Sequence, residues 1–487
     1  MAPNRVTPLF LLALALMPAF GAARHLVWPP PQQISAAGPP LSLHPQFAAR
    51  SSCTSRRLAA ALARHAETTI GPALAASKSS AQQRLVTAGH GEDLHLLREL
   101  ELVVGSADES LGMATDYSYN LTARPATSTE AAHAEVRCAS IYGCMYGLES
   151  FAQLLDTRRG TVLHSLVDIV DAPDYTWRGL MVDAGRRFFP MDTLIDLMTT
   201  MSANKLNVLH LHASDFCRFG VESKLYPNLT ASLTGVKGGF YTQQDIKTLI
   251  ERGGEMGIRI VPEFDIPGHS KGFEPLAWGP NPDILFCGEL PDVNQLYDDP
   301  AGVTYKTLHA IMGEMAALFT DEVFNIGSDE TSAKGRCTVN TSFAIERRLL
   351  QAIQTDFKKT PAGWEEVLFD AGAATPETIV DAWSRHTPAE ITATGRRAIE
   401  SKGSHFYFTG AAAGGPKGWA PCWFDIATGV PAEQRSLLLG GEMSMWSDTY
   451  CYINQCQSPG QPVGARLFPP EQDAAFRKSI GGTAPYN

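Results

Sequence analysis

The run Asn325-Ile326-Gly327-Ser328-Asp329-Glu330 sets two carboxylates side by side directly after a strand-like apolar stretch and a glycine. Two ionised neighbours repel. Alone, the pair reads most simply as a solvated loop or a helix N-terminus, where acidic residues are favoured. Further residues able to do acid–base or sugar-binding chemistry recur at the ends of other apolar runs. They are Asp183 and Arg186, then His210, His212 and Asp215, then Glu263, Asp265 and His269, followed by Trp364, Trp383, Tyr407, Glu442, Trp446 and Asp448. Each singly has a structural reading: a buried tryptophan is usually core, and a lone histidine usually satisfies a nearby backbone group. Gathered at one face they describe a carbohydrate-hydrolysing pocket, because indole faces stack on the apolar C–H face of a sugar ring while carboxylates and arginine bond its hydroxyls. Zinc is the competing chemistry. His210 and His212 alternate along one strand and so share a face, but most zinc hydrolases need a third protein ligand and an open position, and no metal is assigned.

Such residues meet only if the elements carrying them run parallel. From residue 174 onward strand-like runs recur at 178–185, 207–214, 258–265, 323–330, 360–367, 378–384, 405–410 and 437–446. Amphipathic helical spacing separates several of them, most clearly at 191–205, 242–256, 305–318 and 342–357. Alternating strand and helix predicts a parallel sheet. Eight strands suit a (β/α)8 TIM barrel, whose chemistry collects at the C-terminal strand ends. A doubly wound open sheet is the rival fold, and no glycine-rich phosphate loop supports it. The helix after the seventh run is poorly defined and the segment after the eighth is short. Upstream, a Pro-rich entry at 27–31 leads into strand-like runs at 100–104 and 117–123 and a helical pattern at 141–155. This predicts a smaller α/β (α+β) domain over 24–173 before a catalytic domain over 174–487.

Composition bounds the partners. At 487 residues the chain is long enough for two domains, and 44% hydrophobic with 19% charged residues is apolar enough to bury sizeable cores. A net charge of -11 argues against nucleic acid and against an anionic membrane surface. Residues 1–23 read as a secretory signal peptide, with Arg5 ahead of a short apolar run and small residues after it; a signal anchor is the alternative. No other run approaches spanning length. The nine cysteines then meet an oxidising lumen, and their odd number leaves at least one unpaired. Sequons at Asn120, Asn228 and Asn340 agree with that compartment.

Read together, RGLMVDAGRRFFP, NKLNVLHLHASD, GGFYTQQDIKTLI, GIRIVPEFDIPGH, NIGSDE, GWEEV and GGEMSMW resemble a glycoside hydrolase family 20 β-N-acetylhexosaminidase, and LVWPPPQ with YGLESFAQLL resembles that family's N-terminal domain. The similarity runs from about Leu26 to about Trp446, and PEFDIPGH followed by the Asp-Glu pair is its most specific part. The resemblance implies an exo-acting enzyme that releases terminal β-linked N-acetylglucosamine or N-acetylgalactosamine with retention, the substrate's own acetamido oxygen acting as nucleophile. It implies Glu330 as general acid/base and Asp329 as the group holding the acetamide. Arg186 would bond sugar hydroxyls, Trp364, Trp383 and Trp446 would wall the ring and acetamido group, and Tyr407 would bond the acetamido oxygen. Asp448 would bind the distal hydroxyls, with Asp215, His269 and Glu263 behind the acid. It implies a Cys287–Cys337 disulfide, no cofactor and no metal. The expected partners are N-acetylhexosamine-containing glycans, glycoconjugate or chitin-derived, in the secretory pathway, outside the cell or in a lysosome or vacuole. A homodimer is the assembly to look for. Cys451 and Cys456 are near enough in sequence to pair.

Several positions depart from the pattern: Leu211 for a tryptophan, Ser328 for a second glycine, Thr409 for an aspartate and Asp448 for a glutamate. The last two surround the O4 and O6 hydroxyls and leave the gluco/galacto preference open. The C-terminal stretch PEQDAAFRKSIGGTAPYN lacks the long helix that usually closes the barrel. A silent sugar-binding homologue, or an enzyme of other substrate or acceptor specificity, are the alternatives; the intact Asp329-Glu330 pair favours turnover.

Overall fold

The computed structural model describes residues 26–85, 96–231, 233, 239–278, 280–288, 294–332, 337–407 and 425–447. Residues 1–23, read above as a signal peptide, with Thr409, Asp448, Cys451, Cys456 and the C-terminal stretch, lie outside the described residues. The chain divides into two compact units, Met1–Asp174 with Thr200–Lys205 and Gly254–Gly257, and Tyr175–Thr199, Leu206–Gly253 and Ile258–Asn487.

In the first unit a mixed sheet runs in the order Gln33–Ala37, Leu166–Asp171, Tyr119–Arg124, His133–Ser140, Leu97–Ser106, Leu41–Ser51. Tyr119, Leu121 and Ala123 point into the core while Asn120 and Thr122 face out, the period-two alternation of a sheet with one covered face. The cover includes the helix Ile141–Gln153, started by Ser140, whose hydroxyl accepts from the N–H groups of Tyr142 and Gly143 at 3.1 and 3.2 Å. Gly147 lets this helix sit close on the sheet: a Cβ there would strike Val136 and Tyr119.

The second unit is a closed parallel barrel. Its strands are β1 (Trp177–Asp183), β2 (Val208–Asp215), β3 (Arg259–Phe264), β4 (Val323–Asn325), β5 (Thr360–Trp364), β6 (Ile379–Ala382), β7 (Arg397–Glu400) and β8 (Leu438–Met445), and β8 pairs back to β1. Helices α1 (Met191–Ala203), α2 (Gln243–Gly254), α3 (Val303–Leu318) and α4 (Val339–Thr355) follow β1 to β4. Covered on both faces, the strands are buried almost throughout; every residue of β2 is buried, its two histidines and aspartate included. Phe264 of β3 stacks on Phe219 and on Phe324 of β4 at 5.0 and 5.8 Å between ring centroids. Each such ring contributes roughly 1.5–3 kcal/mol by leaving water and helps hold β3 and β4 together. At the start of β3, Arg259 makes a two-pronged buried bond to Asp321 at 2.7 and 2.8 Å.

One strand differs from the expectation. The seventh is Arg397–Glu400, not 405–410: residues Gly403–Phe406 form a helical turn, and Tyr407 bridges Ser444 of β8 beyond it. A four-residue strand flanked by Arg396 and Ser401 has too little apolar period to read, whereas the aromatic run after it is rich in strand formers although its described residues make a helical turn leading to Tyr407.

Cys287 and Cys337 are bonded, with Cα atoms 5.0 Å apart. Cys138 and Cys144 form a second bridge that sequence reasoning missed, Cys217 is also disulfide-bonded, and Cys53 is free. The Cys287–Cys337 bond closes a segment with a sequence separation of 50, for which restriction of the unfolded chain is worth up to about 4 kcal/mol. Serine at both positions is therefore expected to lower the denaturant midpoint by a corresponding amount. An unchanged midpoint would show that this bridge does not stabilise the fold.

Candidate active site

The loop after β4 separates the two adjacent carboxylates. Gly327, Ser328 and Glu330 take positive φ angles of 65°, 73° and 52°. This left-handed turn places Asp329 inward, 8% exposed, and Glu330 outward with its side chain 62% exposed. Gly327 has no room for a side chain, because a Cβ would strike the Asp265 carboxylate. Ser328 adopts the left-handed region without being glycine, at a cost of roughly 1–2 kcal/mol. Its hydroxyl donates to the Ile266 carbonyl at 2.7 Å and its N–H to Asp265 Oδ1 at 3.0 Å, which offset that cost and tie the loop to the end of β3.

His269 joins the pair to a buried network. Its Nε2 lies 3.2 Å from Glu330 Oε2 and 3.6 Å from Asp329 Oδ2, and its Nδ1 lies 3.3 Å from Asp215 Oδ1. Arg186 bonds Asp183 through Nη1 at 3.0 Å and Asp215 through Nη2 at 2.8 Å. Deeper in the barrel His212 spans Glu263 and Asp215 at 2.6 and 2.8 Å, and His210 spans Glu442 and Glu263 at 2.6 and 3.0 Å. Indole N–H groups complete the set: Trp177 donates to Glu442 and Trp364 to Glu263, both at 2.9 Å. Asp183, His212 and Asp215 present possible metal-ligand atoms within 4.8 Å of one another. Arg186 already bonds both of those carboxylates, so a guanidinium supplies the positive charge at that point.

The alternation of charge sets the protonation states. Burial opposes the charged form of each histidine, but the charges of Glu442 and Glu263 outweigh it and raise His210 to about 10. His212, chiefly through Glu263, and His269, chiefly through Asp215, are likewise raised well above the ordinary histidine value despite burial. Burial would raise Asp215 and Glu263, yet Arg186 and His269 beside the first, and His212 and His210 beside the second, hold both well below the usual carboxylate range. Asp265 goes the other way: burial, then the charge of Asp329, holds it well above that range and favours its neutral form. The working pair is split. Burial raises Asp329 against the pull of His269, whereas the hydrogen bond from His269 lowers Glu330.

Aromatic rings surround the Asp329 side of the pocket. Trp364 is 1% exposed and forms its floor. Trp446 packs on it at 5.9 Å, and Tyr407 packs on Trp446 at 5.9 Å with the rings inclined by 60°. Trp383 faces Tyr407 at 6.3 Å with the rings only 4° from parallel. The Arg186 guanidinium sits 5.2 Å from the Trp446 ring centre. Burial, with the charge of Asp329 adding to it, pushes the Tyr407 phenol far above its ordinary range, so its hydroxyl remains a hydrogen-bond donor. The arrangement can hold a flat polar group among rings, present it to a buried carboxylate, and set a more exposed carboxyl at the open side.

Of the residues expected at the site, Glu330, Asp329, Arg186, His269, Asp215, Glu263, Trp364, Trp383, Tyr407 and Trp446 belong to this one constellation; Asp448 lies outside the described residues. Asn120, Asn228 and Asn340 are exposed elsewhere on the surface. Sequence reasoning gave no role to Glu365 and Glu366. Their signal was present: a second pair of adjacent carboxylates at a strand end, in the run GWEEV.

Residues 175–457 match the model of glycosyl hydrolase family 20, catalytic domain, and residues 27–154 match that of beta-acetyl hexosaminidase like. The beta-hexosaminidase subunit A2 of Dictyostelium discoideum is 30% identical over 390 residues, covering 73% of this chain and 68% of that protein. The beta-hexosaminidase subunit alpha of Mus musculus is 29% identical over 353 residues, covering 63% of each. Among solved structures, the exo beta-N-acetylglucosaminidase of Vibrio harveyi in complex with N-acetylglucosamine shares the fold, with a TM-score of 0.66 at 18% identity over 96% of this chain and 79% of that one.

Proposed function

Because this chain belongs to glycosyl hydrolase family 20, we propose that it is an exo-acting β-N-acetylhexosaminidase working by substrate assistance. The observation that carries the mechanism is the left-handed turn that sends Asp329 to the aromatic box and Glu330 to the open side of the pocket. Two-carboxylate retaining hydrolysis needs a protein nucleophile across the scissile bond from the acid. Here the second carboxylate is committed to the box, where it suits an amide. The substrate's acetamido oxygen attacks the anomeric carbon, and Glu330 protonates the departing oxygen. Asp329 accepts the amide N–H and stabilises the positive charge that develops as the oxazolinium ring closes. Tyr407 donates to the acetamido oxygen. Glu330, now a carboxylate, then activates water, and the two inversions give net retention. Holding the internal nucleophile in place removes an entropic barrier with a ceiling of about 7–11 kcal/mol. His269, paired with Asp215, orients Glu330, and Arg186 binds sugar hydroxyls. A protein that only bound sugar would have no use for Glu330 and its histidine.

The natural substrates under this reading are glycans ending in β-linked N-acetylhexosamine. The bonded pairs Cys138–Cys144 and Cys287–Cys337 support passage through an oxidising secretory compartment, with the extracellular space or a lysosome or vacuole as destination. Among the described residues no helix is long and apolar enough to cross a membrane.

Chromogenic β-N-acetylglucosaminide and its galacto epimer, assayed across about pH 4–8, test the reading. The productive form needs Glu330 protonated and Asp329 ionised. In the free enzyme the shifts oppose this: Glu330 is lowered by His269, so it sheds its proton early as pH rises, and Asp329 is raised by burial, so it gains one early as pH falls. The productive form is therefore favoured only at acidic pH, and kcat/KM should peak there. A bound sugar covers Glu330 and lifts its pKa, so the alkaline limb of kcat should lie at higher pH than that of kcat/KM. No turnover of either epimer, or a kcat/KM flat across the range, would remove this assignment.

A further inference from the structure

The turn that ends β5 carries two adjacent glutamates outside the mechanism above, and each grips the same neighbouring loop. Glu365 is fully buried. Its Oε2 accepts from the backbone N–H groups of Trp383, Ser384 and His386 at 3.3, 3.2 and 3.2 Å, and its Oε1 accepts from that of Arg385 at 2.6 Å. One carboxylate thus satisfies four successive backbone donors just beyond β6. Glu366, also buried, accepts from the indole Nε1 of Trp383 at 3.1 Å, while its other oxygen lies 3.9 Å from Arg385 Nη2. The first glutamate fixes where the loop runs and the second fixes how the indole is turned. The ring so fixed is the one that stands parallel to Tyr407.

We propose that Glu365 and Glu366 form a clamp that positions Trp383, with Glu366 a positioning residue that sets the indole's rotation and hence the width of the box between Trp383 and Tyr407. The proposal rests on the reading of that box as the acetamido site. The β5 turn then supplies both the floor of the pocket, through Trp364, and the orientation of its wall, through Glu366. The chemistry of Glu366 suits this role. Burial, and next the charge of Asp329, raise its pKa to about 8. At acidic working pH it is a neutral acid whose oxygen accepts the indole N–H without adding a second negative charge beside Asp329. Glutamine at this position preserves that acceptor and that neutrality. Alanine keeps the neutrality but removes the acceptor and leaves the half-buried indole N–H without its partner, a loss that commonly amounts to about tenfold in an equilibrium or rate.

The test is a double-mutant cycle in the full chain, using an aryl β-N-acetylglucosaminide for kinetics, a thiazoline mimic of the cyclised intermediate for binding, and near-ultraviolet circular dichroism for the indole. Glu366→Ala is expected to lower kcat/KM and weaken the thiazoline each by about tenfold, with Glu366→Gln staying within about threefold of wild type. In a Trp383→Phe background, Glu366→Ala should change either quantity by less than about twofold, since the indole N–H that it serves is gone. Glu366→Ala should also alter the indole dichroism, and this change should vanish in the Trp383→Phe background. Equal damage from Gln and Ala, or a full alanine effect without Trp383, would overturn the clamp. If the wild type fails to turn over either N-acetylhexosaminide, the functional reading falls, and the dichroism cycle still decides for or against the clamp.

Discussion

Glu330→Gln is expected to lower turnover of an unactivated disaccharide by about 10²–10⁴-fold, the usual worth of a positioned general acid. The amide fills the same space opposite His269 but has no proton to give to a sugar alkoxide. The loss should shrink in the first step for aryl glycosides whose leaving groups depart without protonation. In the second step the amide cannot activate water, so hydrolysis of the cyclised intermediate becomes slow even for those substrates. The alkaline limb of the pH profile should disappear in the variant, because the group that sets it no longer titrates. The pocket should still bind: Glu330 is the most exposed member of the constellation, and the rings and Asp329 do not depend on it for support. An unchanged rate on the disaccharide would take Glu330 out of its role.

Asp329→Ala is expected to cost about 10²–10³-fold, the range for removing one preorganised group that meets developing charge. Rate alone cannot separate this from a general weakening of the site, so the substrate must be varied as well. Replacing acetyl hydrogens by fluorine withdraws electrons from the amide oxygen. If that oxygen is the nucleophile, the wild-type rate falls steeply across mono-, di- and trifluoroacetyl substrates. The alanine variant should show a flatter series and a weakened affinity for the thiazoline, which resembles a species near the transition state. The β-configured sugar should be the first product. A series without fluorine dependence, or a protein carboxylate trapped covalently by a fluorosugar, would end substrate assistance here and the role of Asp329 with it.

Much of this was readable along the chain. Seven of the eight barrel strands lie on apolar runs visible in the sequence, because burial on both faces leaves a continuous apolar signature. The four helices after β1 to β4 lie where amphipathic spacing puts them. The adjacent carboxylates, the histidines of β2 and the tryptophans stand at strand ends, where a parallel barrel must bring its chemistry together. Other features depend on contacts that no local pattern encodes. Strand β7 is too short for a period to show, and Tyr407 reaches the pocket from a loop that resembles a strand. Nothing in the order of Ser328, Asp329 and Glu330 reveals that positive φ angles turn one carboxylate inward and the other out; that follows from Gly327 meeting Asp265 and Ser328 bonding the end of β3. The protonation states are more remote still. His210 is charged because Glu442, 232 residues away along the chain, is 2.6 Å away in the closed barrel. Periodicity reports which side of an element is buried. Which charge meets which is set only when the sheet closes and β8 comes to lie beside β1, and at such distances the partner a buried group finds outweighs its intrinsic chemistry.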